Sequence, residues 1–485
     1  MRTLARQVAV YGSGRLALQL VSFITLPILT RVLTPEDYGV MEAVTTLLSV
    51  IAIVASLSLE SAAQRSYFDY GPEQVEERRV VLSSAFWPMV GWAAVLAAAT
   101  AAFSGPLSSL LFGTDEFRTI ILLAVIALPV AVATTFFLEV MRLRLQAVRY
   151  VLVSWFGALL SVALILYLVA IDDRGLEGFY LAGVISAVPT FLVAAAVARG
   201  AVRRTIDWPA LRTMLLYALP LIPVAASNWI IQFVDRLFVL HFSSLHELGL
   251  YALGVRFSNV LLLVVTAFAF AWSPFILDLY SREPDQEPVV RARALTYVAL
   301  ATAFGAVCLS VYAREFFRTI TDPAFEDAYQ IVGILCAGIF ALGLNAVTIT
   351  GITIARRTRY FAEYAAYAAA LNIALNFALI PTFGIVGAAI ATSLTFIFQA
   401  CLYYWRAQRL HPAPFDLRRI GVIASFAALL IVVGSFVNLE PLWLSALVKL
   451  PLVLALPALA WVRGWIPPSS LSFLRRPPAI GAGPS

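Results

Sequence analysis

Apolar stretches of about twenty residues recur from one end of this chain to the other, and that recurrence limits the possible folds more than any motif does. Wound as an α-helix at 1.5 Å per residue, such a stretch crosses the ~30 Å hydrocarbon layer of a bilayer. Inside that layer only helices and closed barrels satisfy their own backbone groups. Fourteen spans are predicted, at 7–30, 40–64, 80–103, 117–140, 150–171, 178–198, 213–241, 249–273, 291–312, 328–353, 360–380, 385–405, 419–437 and 444–463. Composition agrees, with 61% apolar and 13% charged residues, against about 45–50% and about 25% in a soluble domain. The expected fold class is an all-α polytopic membrane protein with fourteen transmembrane helices.

Arginine placement sets the expected orientation. With the N-terminus inside, the inner segments hold 25 arginines and the outer loops five, namely Arg31, Arg118, Arg174, Arg314 and Arg318. Positive charge favours the cytoplasmic side, so both termini are expected there. The first span, 7–30, is too long for a cleaved signal peptide and has no small-residue cleavage site after it. The formal net charge of +6 rests almost wholly on arginine, 33 against the single Lys449. It carries no basic aromatic module of the kind that binds nucleic acid.

An internal repeat divides the chain. Thr34-Pro-Glu-Asp-Tyr-Gly39 resembles Ser244-Leu-His-Glu-Leu-Gly249 at an offset of 210 residues, and Ala147-Val-Arg-Tyr150 resembles Arg357-Thr-Arg-Tyr360 at the same offset. Gly175-Leu-Glu-Gly178 matches Gly384-Ile-Val-Gly387 at 209. Three matches at a steady offset predict two six-helix lobes, 1–204 and 205–410, related by an axis along the membrane normal. Two further helices occupy 411–463, and a Pro-rich tail, 464–485, reads as disordered and cytoplasmic.

Polar residues inside the spans are the functional candidates, because an ionised side chain at the centre of a membrane helix costs roughly 2.5–3.5 kcal/mol on insertion scales. Asn228, Gln232 and Asp235 fall on one helical face, with Arg236 beside them; Arg256 and Asn259 share a face of the following span. Arg15 and Gln19 form a stripe on the first span with Tyr11 and Ser22, while Glu42 and Glu60 bound one on the second with Thr45, Ser49 and Ser56. Together these stripes predict a polar cavity carrying the guanidiniums of Arg15, Arg236 and Arg256, whose forks suit phosphate oxygens. Simpler readings stand beside this one. Arg15 and Arg236 also fit snorkelling to a surface, Glu42 and Glu60 fit interfacial positions, and Arg256 fits a structural bridge to Asp235. Asp235 and Arg236, as sequence neighbours, leave the helix about 100° apart and are not expected to face one partner. Asn345, Asn372 and Asn376 suit either a cavity wall or a bond between helices.

Other chemistries find little support. The spelling Gly12-Ser-Gly-Arg-Leu-Ala17 matches part of a dinucleotide fingerprint but has no preceding strand, and no phosphate-binding P-loop sequence occurs. Cys308, Cys336 and Cys401 lie in apolar spans and read as packing residues. No catalytic set, metal-ligand spacing or cofactor is expected.

Six motifs in order carry a resemblance: Arg31-Val-Leu-Thr-Pro-Glu-Asp-Tyr-Gly39, Leu59-Glu-Ser-Ala-Ala-Gln-Arg65, Tyr217-Ala-Leu-Pro-Leu-Ile-Pro223, Asp235-Arg236, Gly249-Leu-Tyr251 and Trp272-Ser-Pro274. The chain resembles the polysaccharide biosynthesis (Wzx-type) flippases of the multidrug/oligosaccharidyl-lipid/polysaccharide exporter superfamily. The resemblance implies two lobes around a central cavity in the bacterial inner membrane. It also implies ion- or potential-coupled alternating access that moves undecaprenyl-pyrophosphate-linked oligosaccharide toward O-antigen, capsule or exopolysaccharide assembly. Membrane lipid, a polysaccharide polymerase and glycosyltransferases are the partners it implies. On that reading the substrate-binding residues are Arg15, Gln19, Asn228, Gln232, Arg236, Arg256 and Asn259, with Asp235, Glu42 or Glu60 carrying a coupling proton. Alternatives are a cation-coupled multidrug or metabolite antiporter or a lipid II flippase of the same fold, and a membrane polysaccharide polymerase or ligase, which would want a larger outer loop.

Overall fold

A computed structural model describes residues 25–465, and every described element is helical. Twelve helices are long and apolar enough to cross a membrane: α1 (Pro35–Ser56), α2 (Val75–Ala102), α3 (Arg118–Leu143), α4 (Ala147–Ile171), α5 (Gly175–Val197), α6 (Trp208–Phe242), α7 (Leu245–Arg282), α8 (Glu287–Ile320), α9 (Pro323–Ile354), α10 (Arg359–Leu410), α11 (Leu417–Phe436) and α12 (Leu442–Val462). Fourteen were expected, and the difference has two sources. Most of the predicted span 7–30 lies outside the described residues, of which 25–32 are helical. The predicted spans 360–380 and 385–405 run together as α10, which is 52 residues long and bends at Gly384 (φ 54°, ψ −134°). Glycine alone adopts that conformation without strain, so the chain turns there without the polar loop that composition would reveal.

Helix starts follow capping chemistry. Thr34 accepts a hydrogen bond from the Asp37 amide while Asp37 reaches back to Thr34, and Pro35 fills the first position of α1. Ser244 caps α7 in the same way through the Glu247 amide. Two predicted ends move. The span 40–64 stops early because Leu57 and Ser58 turn left-handed, with φ of 47° and 56°, and a separate short helix, Leu59–Tyr67, follows. Pro274 does not end α7, which runs on to Arg282 and is 38 residues long in all. At 1.5 Å per residue that is about 57 Å, well beyond the hydrocarbon layer.

One buried apolar cluster joins α1 to α7 and α9 through Tyr38, Met41, Tyr251, Phe325 and Ile339. At its heart α1 and α7 touch backbone to backbone. A Cβ on Gly39 would stand 2.0 Å from the Leu245 carbonyl oxygen, and one on Gly249 would stand 1.9 Å from that of Pro35. Only hydrogen side chains permit this approach. Beside it, His246 Nδ1 lies 2.9 Å from Glu36 Oε1. Helices α11 and α12 dock on α8, where Lys449 Nζ meets Glu315 Oε1 at 2.6 Å and the Tyr312 hydroxyl donates to the Ala446 carbonyl at 3.1 Å.

Candidate functional site

A cavity of about 520 Å³ opens below the α1–α7 crossing, walled by α1, α6, α7, α9 and α10. Asn228, Gln232, Asp235 and Arg236 reach it from α6, Arg256 and Asn259 from α7, and Glu42 from α1. The 3.6-residue period that aligned these side chains in sequence turns them all to one hollow. Arg15 and Gln19 lie outside the described residues. Glu60 is not in the wall; it sits on the short helix past the left-handed turn that ends α1.

Four charges form the core of the wall. Arg236 is 7% exposed and places Nε 2.9 Å from Glu42 Oε1 and Nη1 2.8 Å from Asp235 Oδ1. The second Asp235 oxygen accepts hydrogen bonds from the Tyr251 hydroxyl and, at 3.2 Å, from Thr392 Oγ1. Arg236 also donates to the Gln232 carbonyl and lies 4.9 Å from the Phe233 ring centroid. A desolvated guanidinium is tolerable only with this much compensation. Arg256 differs. Its side chain is 42% exposed, and its nearest carboxylate oxygen, Glu42 Oε2, is 3.9 Å away.

The pairing departs from both sequence readings. Arg256 does not bridge to Asp235, because Arg236, Tyr251 and Thr392 occupy that carboxylate and Glu42 stands between the two arginines. Neighbouring Asp235 and Arg236 pair with each other, Nη1 to Oδ1 at 2.8 Å, while their other partners differ: Glu42 for Arg236, Tyr251 and Thr392 for Asp235. The expected positive hollow is also modified. Two carboxylates balance the two guanidiniums among the described lining residues, so Arg256 is the cation presented to the cavity.

Sequence reading missed the contribution of α10. Thr392, Phe396 and Gln399 line the cavity at i, i+4 and i+7, a helical stripe diluted by its apolar surroundings. Tyr251, which the sequence offers only as part of the Gly249-Leu-Tyr251 motif, donates its hydroxyl to Asp235. The amides Asn372 and Asn376 are spent on each other (2.9 Å) and on Thr395 (3.2 Å), fastening the two limbs of α10 together. Trp229 Nε1 donates to Ser49 Oγ at 2.7 Å, a second polar link from α6 to α1. Among the described residues no three His, Cys, Asp or Glu side chains gather closely enough to hold a metal ion.

A larger hollow of about 950 Å³ lies between α8, α9, α10, α11 and α12, with Ala303, Gly333, Phe340, Ala427 and Ile431 in its wall. Its lining is almost wholly carbon, and among the described residues the chemistry at its rim is limited to Lys449, Arg314 and a few neutral polar groups. The smaller hollow, which holds the charge cluster, is therefore the candidate site.

Residues 4–279, more than half of the chain, match the family described as polysaccharide biosynthesis protein. The chain is 23% identical over 320 residues to the succinoglycan biosynthesis transport protein ExoT of Rhizobium meliloti (strain 1021). That match covers 64% of this chain and 61% of ExoT, less than two thirds of the relative's length. In fold the chain is similar to a lipid II flippase, MurJ, in an inward closed conformation, with a TM-score of 0.74 over 94% of this chain and 99% of the other at 14% identity. It is similar also to an inward-facing multidrug resistance transporter of the MATE family, with a TM-score of 0.66 over 85% and 99% at 14% identity.

Proposed function

The chain belongs to the polysaccharide biosynthesis protein family, and on that premise we propose that it is a flippase carrying a polyprenyl-pyrophosphate-linked oligosaccharide across the bacterial inner membrane. The observation that carries this reading is Arg256, a half-exposed guanidinium in a membrane helix facing a 520 Å³ polar hollow. A guanidinium there forms charge-assisted, two-pronged hydrogen bonds to diphosphate oxygens, while Asn228, Gln232, Asn259 and Gln399 offer amides to sugar hydroxyls. The neighbouring carbon-lined hollow gives the polyprenyl tail a lateral apolar surface. Glu42 holds both arginines, so an arriving diphosphate competes with it, and its carboxylate, or that of Asp235, is the site proposed for a coupling proton. The arginine distribution supports cytoplasmic termini. A polymerase and glycosyltransferases are the proposed partners in assembly. Arg15 and Gln19 belong to the same wall on this reading.

Two lobes of six helices, 1–204 and 205–410, rock about the α1–α7 crossing in this mechanism. The reciprocal contacts there support it, since Gly39 meets Leu245 and Gly249 meets Pro35, while Leu245 and Gly249 stand 210 residues after Pro35 and Gly39 as their repeat equivalents. A cation-coupled drug antiporter is the second reading, and it rests on Asp235 and Glu42. Each of those carboxylates already has an arginine nitrogen within 2.9 Å, which leaves an organic cation no free anion among the described lining residues. A lipid II flippase shares the diphosphate chemistry and differs in the sugar. The test is transport by the full-length protein in vesicles, run with a lipid-linked oligosaccharide, with lipid II and with an organic cation. Translocation of the oligosaccharide in preference to the others is expected; efflux of the cation with no lipid movement would overturn the proposal.

A further inference from the structure

At the end of the bundle where α10 begins and ends, two arginines share one aromatic ring. The Arg406 guanidinium carbon lies 3.7 Å from the Tyr360 ring centroid and that of Arg359 lies 4.9 Å from it. Arg359 Nη2 also donates to the Tyr360 hydroxyl at 3.0 Å. Tyr360 is itself buried, stacked on Tyr364 at 5.8 Å between centroids and packed with Tyr403 and Ile352. The ring is therefore a rigid platform, and it holds two like charges close together.

No carboxylate pairs with them. Arg282 meets Asp278 at 3.0 Å and Arg142 meets Glu139 at 2.7 Å, but neither Arg359 nor Arg406 forms an ion pair among the described residues. Arg406 Nε is buried with no hydrogen-bond acceptor. Arg357 lies exposed in the preceding turn, and Arg409, 4.0 Å from the Trp405 ring centroid, adds another cation one turn from Arg406. Two guanidiniums fixed side by side offer charge-assisted, two-pronged hydrogen bonds to a phosphate. Trp405 and Tyr367, 46% and 56% exposed beside this cluster, have the amphipathic rings that settle at the headgroup level of a bilayer.

We propose that Arg359 and Arg406, clamped on Tyr360, bind the phosphate of an anionic phospholipid lying against α10. A basic pocket between membrane helices is suited to such a headgroup. The general excess of arginine at one face does not account for it, because that rule sets charge in loops and does not bring two guanidiniums to one ring. The first half shows the contrast: at the 210-residue offset Arg149 and Tyr150 correspond to Arg359 and Tyr360, but at the 209-residue offset that holds after Gly175 and Gly384, Val197 stands where Arg406 would be. The site is thus a feature of the second half alone, and it does not depend on what the central cavity carries.

The test uses purified full-length protein and counts lipids retained in native mass spectrometry, with phosphatidylglycerol, phosphatidylethanolamine and a polyprenyl diphosphate offered separately. The wild type is expected to retain phosphatidylglycerol about fivefold or more over phosphatidylethanolamine. Combined Arg359→Gln and Arg406→Gln brings that ratio close to one, Tyr360→Leu lowers it likewise, and Arg149→Gln leaves it unchanged. Exposed Arg359→Gln alone lowers it by about twofold or more, which keeps the test decisive should the double variant misfold. An unchanged ratio in Arg359→Gln, or an equal loss in Arg149→Gln, would overturn the proposal. Selective retention of the polyprenyl diphosphate in place of phosphatidylglycerol would overturn it too, marking the cluster as an entry point for cargo.

Discussion

Arg236 and Arg256 are twenty residues apart and carry the same group, yet their surroundings assign them different work. Arg236 is closed in by Glu42, Asp235 and the Gln232 carbonyl, so removing it strands two buried carboxylates. Arg236→Ala is therefore expected to destabilise the protein by about 3–5 kcal/mol, seen as a lower unfolding temperature of the detergent-purified protein. Arg256 is 42% exposed and loosely paired, so Arg256→Ala should cost less than about 1 kcal/mol of stability. Equal thermal shifts in the two variants would contradict this division. Helical spacing put Arg256 on a face with Asn259 but set Arg236 about 100° from Asp235 and left snorkelling open to it; both line the hollow. Spacing did not identify their partner. Glu42 reaches Arg236 across 194 residues of chain, and only packing brings the two together.

At the scale of elements, the α1–α7 crossing depends on two glycines that the repeat motif had marked without revealing their use. Gly39→Val adds three carbons where even a Cβ has no room, so α1 and α7 must separate. Cysteines at Glu36 and His246, whose present side chains approach to 2.9 Å, are expected to cross-link readily in the parent chain and several-fold more slowly with Gly39→Val. Undiminished cross-linking would show that the crossing tolerates the side chain. The docking of α11 and α12 has its own test. Lys449, the only lysine in the chain, is 1% exposed against Glu315. Lys449→Met leaves that carboxylate buried with Ser445 as its remaining donor, and a loss of about 3–5 kcal/mol is expected, measured again by thermal unfolding. The two helices and the single lysine were legible in the sequence, but the partner of Lys449 was not: Glu315 lies 134 residues earlier, and only packing brings the two together. The break between the predicted spans 360–380 and 385–405 falls at Gly384, where α10 bends; apolar length alone did not show that the two limbs join through a single glycine with no polar loop.

For the whole molecule, the reciprocal glycine contacts, the buried Glu42–Arg236 pair and the hollow beneath them make one arrangement. The crossing lies at one end of the cavity, and the ion pair ties α1 to α6 a turn below it. On the proposed mechanism, opening that end requires both to part, and a diphosphate favours this by taking the arginines from Glu42. A disulfide between cysteines at 36 and 246 is accordingly expected to stop transport and a reductant to restore it; transport that continues through the cross-link would exclude motion at this seam. The most direct measurement of the account's main claim is lipid-linked oligosaccharide flipping in vesicles by the parent protein, Arg256→Lys and Arg256→Ala at matched amounts of folded protein. The account predicts intermediate flipping with lysine and a loss of tenfold or more, about 1.4 kcal/mol or more in the barrier, with alanine. Flipping by Arg256→Ala at the parent rate would contradict it.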